Sequence, residues 1–200
     1  MIITLTSHEI NIDIDNFSCN LENEVLNRLV SENLSRKKTA SYKLFINNRE
    51  LRLVCPLLKN EQNKTVVIWP SFKLPFRKYP VYVYLYAVAL YLSSDLSMRN
   101  TASFVRNAFG LDKFSHSTIS RALKKLSTIV DALSDIISGY VNNSDEDKKL
   151  VERKNWDTER CKKYKQLLSI LVPVLNKGKM IQYGSFLNYI YFNNSLKFVI

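Results

Sequence analysis

Ser117, Ser120, Arg121 and Lys124 recur at i, i+3, i+4 and i+7, so a helix through this segment carries them on one stripe. Their chemistry is two hydroxyls, a five-donor guanidinium and an ammonium. Such a stripe suits a polyanion that also displays hydrogen-bonding groups. The major groove of duplex DNA is one: it admits an α-helix and presents donors and acceptors on every base pair. Arg121 and Ser117 are expected at base edges, because Arg can meet guanine O6 and N7 with two hydrogen bonds. Lys124, Lys125, Arg99 and Arg106 are expected at phosphates, which fix register and bring salt dependence. His116, at the first helical position, is placed for a phosphate or a base, and Ser115 and Thr118 complete the candidate DNA-contacting set.

The elements that must hold this stripe are legible around it. Ser97 is a capping residue ahead of a helix starting at Met98, and Gly110 stands where a left-handed C-terminal cap is favoured. Ser115 is the expected N-cap of the next helix, its side-chain oxygen taking an otherwise unpaired backbone N–H. A short GLDKF turn separates the two, the spacing of a helix-turn-helix centred on Leu96 to Lys125. Ala102 is small where the helices approach, Val105 and Phe109 complete the inner face of one helix, and Leu111 and Phe114 anchor the turn. Ile119, Leu123 and Leu126 point inward from the other, and Val130, Leu133 and Ile137 continue the seam. That seam predicts a helix running well past Lys125, packed on the chain's own helices, with homodimerisation as the alternative use. Val81 to Leu92 is apolar nearly all round, so it is expected as a first, fully covered helix, with the N-terminal ribbon or the C-terminal helix packed over it.

Bulk composition agrees with a polyanionic partner. The 200 residues carry 29 Lys and Arg against 18 Asp and Glu, a net charge of +11, with 46% hydrophobic residues to build a core. Length allows one ordinary domain or two small ones. Three separated cysteines, Cys19, Cys55 and Cys161, with no CxxC, offer neither a disulfide framework nor a zinc site. MIITLTSHEINIDID lacks a basic n-region and an apolar h-region, so no signal peptide is expected, and the longest apolar run is too short for a bilayer. The expected location is the cytoplasm, at the nucleoid.

Outside the centre, residues 2–5 and 10–14 alternate as strands do, Glu22 to Asn33 fits a short helix, and SYKLFI and RELRLVCPL read as strands around Asn47 and Asn48. TVVIW, ending at Pro70, is a third such strand. Pro70, Pro75 and Pro80 make WPSFKLPFRKYP a non-helical connector. VNNSDEDKK is the clearest linker, and Asp157 to Asn176 is an amphipathic helix that Pro173 kinks or ends. YGSFLNYIYFNN takes no assignment. The expected fold is α+β, mainly α: a small N-terminal β-ribbon without zinc, a central trihelical helix-turn-helix and a C-terminal helical extension. The corresponding division is 1–75, 76–140 and 141–200.

RLVCP, VVIWPSFKLPFRKYP, LSMRNTASFVRNAFGL and FSHSTISRALKKL together resemble the N-terminal region of transposase-like proteins of bacterial insertion elements, over roughly Leu51 to Leu126. The resemblance implies a zinc ribbon followed by a helix-turn-helix, here with the ribbon degenerate. Of the cysteine pairs only Cys55 stands, with Leu57 and Leu58 where a second cysteine would follow. The catalytic domain of full transposases is not expected, since about a quarter of the chain follows the linker and an ordinary domain needs roughly 100 residues.

Enzymatic readings find no complete constellation. Asp145, Glu146 and Asp147 form a solvated charge run more readily than a metal site. No spacing joins a cysteine to His8 or His116 as a nucleophile pair, and there is no phosphate-cradling glycine loop. Neither a cofactor, a metal nor a small-molecule substrate is expected. The expectation is thus a non-enzymatic reader of double-stranded DNA, accessory to or derived from a transposable element. The alternatives are a non-catalytic or truncated transposase or recombinase subunit, and a basic module that meets an acidic protein.

Overall fold

The structure is a computed structural model that describes residues 2–5, 10–13, 18–21, 35–46, 49–59, 62–70, 72, 74, 77–138, 158–176, 180, 183–184 and 186–188. Side chains are described at 57–59, 62–66, 72, 74, 77–137, 159–176, 180, 183, 184 and 186–188. The expected helix at Glu22 to Asn33, the Asn47-Asn48 turn and the linker 141–149 lie outside the described residues. The fold is α+β and mainly helical. It divides into two compact units, Met1–Pro80 and Val81–Ile200.

The first unit holds six strands: β1 (Ile2–Leu5), β2 (Ile10–Asp13), β3 (Ser18–Leu21), β4 (Ser35–Ile46), β5 (Arg49–Lys59) and β6 (Thr65–Pro70). The hairpin read from SYKLFI and RELRLVCPL is its centre. β4 and β5 pair antiparallel from Ile46 opposite Arg49 to Ser35 opposite Lys59, with a register shift between Arg36 and Lys38. β4 thus begins six residues before Ser41, in SRKKTA, where polar residues give no alternation to read. β5 also pairs antiparallel with β6 and parallel with β3, and β1 adds to β6 in parallel. The ribbon is therefore part of a wider mixed sheet. Asn63, in the β5–β6 turn, has φ 61, a left-handed conformation that Asn tolerates, and its Oδ1 accepts a hydrogen bond from Lys59 Nζ. The described residues of the proline-punctuated connector, 72, 74 and 77–80, are non-helical as expected.

The second unit is helical: α1 (Val81–Ser93), α2 (Met98–Phe109), α3 (His116–Ser138) and α4 (Thr158–Leu171), the last followed by a 3-10 turn, Val172–Leu175. α1 is the axial helix. Ten of its thirteen residues are buried, including Val81, Leu85, Val88 and Leu92 at 0–1% exposure. α2, α3, α4 and the 3-10 turn all pack on it. The sequence left open whether the ribbon or the C-terminal helix covers α1. Within this unit the C-terminal elements do so, and Gly184 approaches Tyr82 so closely that a Cβ there would lie 2.9 Å from the Tyr82 Cβ. Aromatic contacts tie α1 to the helix-turn-helix: Tyr86 meets Phe109 edge-on at 5.3 Å, and Tyr84 lies 6.0 Å from Phe114 in the turn.

α3 runs to Ser138, and every position of its predicted seam, Ile119, Leu123, Leu126, Val130, Leu133 and Ile137, is buried. α1, α2 and α4 pack against α3. In α4, Leu167, Leu168 and Leu171 are buried with Val174 of the 3-10 turn, into whose start Pro173 is built. Proline lacks the N–H that an α-helix would need there, which ends α4 at Leu171. In the segment that had no sequence assignment, residues 183–184 and 186–188 are helical, and Tyr183 stacks near Phe186 with centroids 6.0 Å apart. Among the described residues, no helix is long and apolar enough to cross a membrane.

Candidate nucleic-acid interface

The α2–turn–α3 unit is fixed by local bonds at both ends of α2. Ser97 is extended (φ −61°, ψ 156°), its Oγ accepts from Asn100 N at 3.1 Å, and its carbonyl accepts from Thr101 N at 2.8 Å. At the other end Gly110 is left-handed (φ 55°, ψ 54°), and the N–H groups of Gly110 and Leu111 both reach the Arg106 carbonyl. Leu111 then buries its side chain and turns the chain toward Phe114, also buried. Cap, left-handed glycine and apolar anchor together set where α3 starts.

Ser115 departs in detail from the expected cap. Its carbonyl accepts from Thr118 N (3.0 Å) and Ile119 N (3.4 Å), opening the helix, but its Oγ pairs with the hydroxyls of Ser117 (2.8 Å) and Thr118 (3.1 Å). The side-chain oxygen is thus engaged by neighbouring hydroxyls, which compete locally with the backbone N–H groups for it. Three hydroxyls lie together at the N-terminus of α3.

Along α3 the two faces separate cleanly. Ile119, Ala122, Leu123 and Leu126 are 0–3% exposed, whereas Ser117, Ser120, Arg121 and Lys124 are exposed, as are Ser115 and His116. Thr118 and Lys125 are half-buried and stand at the border of the stripe, about a quarter-turn round from it at 3.6 residues per turn. Arg121 Nε donates to the Ser117 carbonyl at 3.2 Å, which lays the guanidinium back along the helix toward its N-terminal end. On α2, Arg99 is exposed in the first turn and Arg106 is half-exposed in the last. A cation in a first turn opposes the helix dipole, while the amides there favour an anion, so Arg99 and the start of α2 converge on the same ligand chemistry.

Two cations that sequence reasoning passed over stand beside this stripe. Arg160 and Lys163 of α4 line one groove with Ser120 and Lys124 of α3. Their i, i+3 spacing was available in the sequence. The α3–α4 pairing that brings them to the stripe was not. Among the described residues, no group of three or more His, Cys, Asp or Glu side chains could hold a metal ion.

Compared with protein-family models, curated proteins and solved structures, the chain matches none.

Proposed function

We propose that this protein binds double-stranded DNA by laying α3 in the major groove, with Ser117 and Arg121 at base edges. Arg99, Arg106, Lys124 and Lys125 hold phosphates, and Ser115, His116, Thr118 and Ser120 fill the hydrogen-bonding positions between them. One observation carries the reading: on a single helix, a hydroxyl-and-cation stripe is exposed while the opposite face is 0–3% exposed and braced by α1 and α2. A helix can enter a groove about 12 Å wide only if its reading face is unencumbered and its back is held. The net charge of +11 supports association with a polyanion at any sequence. The resemblance over Leu51 to Leu126 favours a role accessory to or derived from a transposable element, exercised at the nucleoid, without catalysis by this chain.

Selection from a library of random duplexes, followed by fluorescence anisotropy on the enriched sequence, tests the reading. The expected result is an enriched motif and a dissociation constant that rises steeply with salt. Absence of duplex binding at low salt overturns it, and binding to an acidic protein that duplex DNA does not compete away would put the interaction-module alternative in its place.

A further inference from the structure

Between α3 and α4 runs a groove of about 620 Å³ whose walls differ in character. Its apolar side is Tyr91, Met98 and Leu123, at the meeting of α1, α2 and α3. α3 contributes Ser120, Lys124, Ser127 and Thr128, which step by four, three and one and so form one wall. Across from them α4 presents Arg160, Lys163 and Tyr164. The titratable groups facing the groove are three cations, Lys124, Arg160 and Lys163, one carboxylate, Glu159, and the phenol of Tyr164. Glu159 lies in the first turn of α4, where the positive end of the helix already favours a carboxylate. Ser127 Oγ and Thr128 Oγ1 donate to the carbonyls of Lys124 and Lys125, at 2.8 and 2.7 Å, so their protons are engaged and the cations are the groove's donors.

We infer that this groove is a second phosphate-binding surface, in which Arg160 and Lys163 of α4 hold the sugar-phosphate backbone flanking the bases that α3 reads. The inference rests on the proposed DNA reading and extends it to a helix outside the helix-turn-helix. Ser120 and Lys124 belong to both surfaces, so a strand that meets the exposed stripe passes directly along the groove mouth. Cations on the far wall then act on the same strand as Lys124. Placement matters more than charge here, because α4 carries two further lysines, Lys162 and Lys165, that are exposed and do not line the groove. They serve as the internal control.

The test compares Arg160→Gln/Lys163→Gln with Lys162→Gln/Lys165→Gln, two variants of equal charge, by measuring duplex affinity of the full chain against salt. Each lost phosphate contact flattens the slope of log K against log salt by about 0.9, so the groove variant is expected to flatten it by about two and to bind several-fold more weakly. The control variant is expected to leave the slope nearly unchanged. Circular dichroism and thermal midpoints check that α4 is intact, and Lys163→Gln alone, expected to flatten the slope by about one, answers if the double variant does not fold. Equal changes in both double variants mean a diffuse field and overturn the inference. No change in the groove variant, while Arg121→Ala still alters binding, overturns the inference and leaves the proposed function standing. Failure of the wild-type chain to bind duplex removes both. Polyglutamate that displaces duplex as well as unlabelled duplex does, charge for charge, points to an acidic-protein occupant and also overturns it.

Discussion

Arg121 Nε and the carbonyl oxygen of Ser117 are joined by a 3.2 Å hydrogen bond across one turn of α3. The bond uses one of five guanidinium donors and leaves the two terminal nitrogens to a ligand. It also holds the long side chain in a single direction before any ligand arrives, which lowers the ordering cost of binding. Ser117 is therefore the residue against which the reading arginine is aimed.

Arg121→Lys tests this relationship. Lysine keeps the charge but has neither the planar fork nor an Nε donor, so it cannot reproduce the aimed geometry. Discrimination between the selected duplex and one mutated at the arginine's base pair is expected to drop by about 1–3 kcal/mol. The salt slope should stay within experimental scatter, since the charge is retained. A mutant with unaltered sequence preference would falsify the assignment of Arg121 to a base edge.

The two helix starts predict different costs for the same serine-to-alanine change. Ser97 Oγ accepts a backbone N–H in the usual manner of an N-cap, so Ser97→Ala is expected to destabilise the fold by about 1 kcal/mol. Ser115 Oγ instead meets two exposed hydroxyls that water can replace. Ser115→Ala should cost clearly less than Ser97→Ala in urea unfolding, and a cost equal to it would mean that Ser115 caps the backbone in solution.

What could be read from sequence was what neighbouring residues decide. Ser97, Gly110 and the period of Ile119, Leu123 and Leu126 act within one or two turns, and the bounds of α2 and α3 followed from them. Pairings between distant segments left no such mark. β1 joins β6 in parallel across some sixty residues, and nothing in IITL specifies that partner. Likewise the cations of α4 gain their place only from α4 packing on α3, a contact decided by the apolar faces of both. The same limit separated the stripe, which was legible, from the groove beside it.

Two glycines are held for different reasons and yield separable outcomes. Gly110 has φ 55°, a conformation that costs a residue with a Cβ about 1–2 kcal/mol, so Gly110→Ala is expected to lower stability by that amount. Gly184 has a steric reason: a Cβ would stand 2.9 Å from Tyr82 Cβ and 3.2 Å from its Cα, atoms that α1 cannot easily move. Gly184→Ala should cost about 1–3 kcal/mol through overpacking. In Gly184→Ala/Tyr82→Gly, the cost of the second change on top of the first is expected to be non-additive, because the clash has lost its partner. Simple additivity in urea midpoints would place Gly184 away from α1.

Burial of two tyrosines predicts how the helical unit responds to alkali. Burial pushes the Tyr82 phenol from its ordinary value of 10 up to about 12, and burial also raises Tyr183 to about 12. The Tyr183 hydroxyl donates to the Ile170 carbonyl at 2.8 Å, a bond its phenolate could not make. Below pH 10 both phenols are neutral in the folded and the unfolded chain, and the stabilisation is fully present. Above pH 10 the unfolded chain releases protons that the folded chain retains, so stability falls as pH rises and the contribution is lost by about pH 12. For Tyr82, which is only 6% exposed, the loss across that window is on the order of 2 kcal/mol at about 1.4 kcal/mol per pH unit. Tyr82→Phe keeps the ring that lies 6.2 Å from Phe109 and removes the titrating group. Urea midpoints measured from pH 9 to 12 should therefore decline less steeply for Tyr82→Phe than for the wild-type chain. Parallel declines, or tyrosinate absorbance from Tyr82 developing at pH 10 in the folded protein, would show that the α1 tyrosine is open to water.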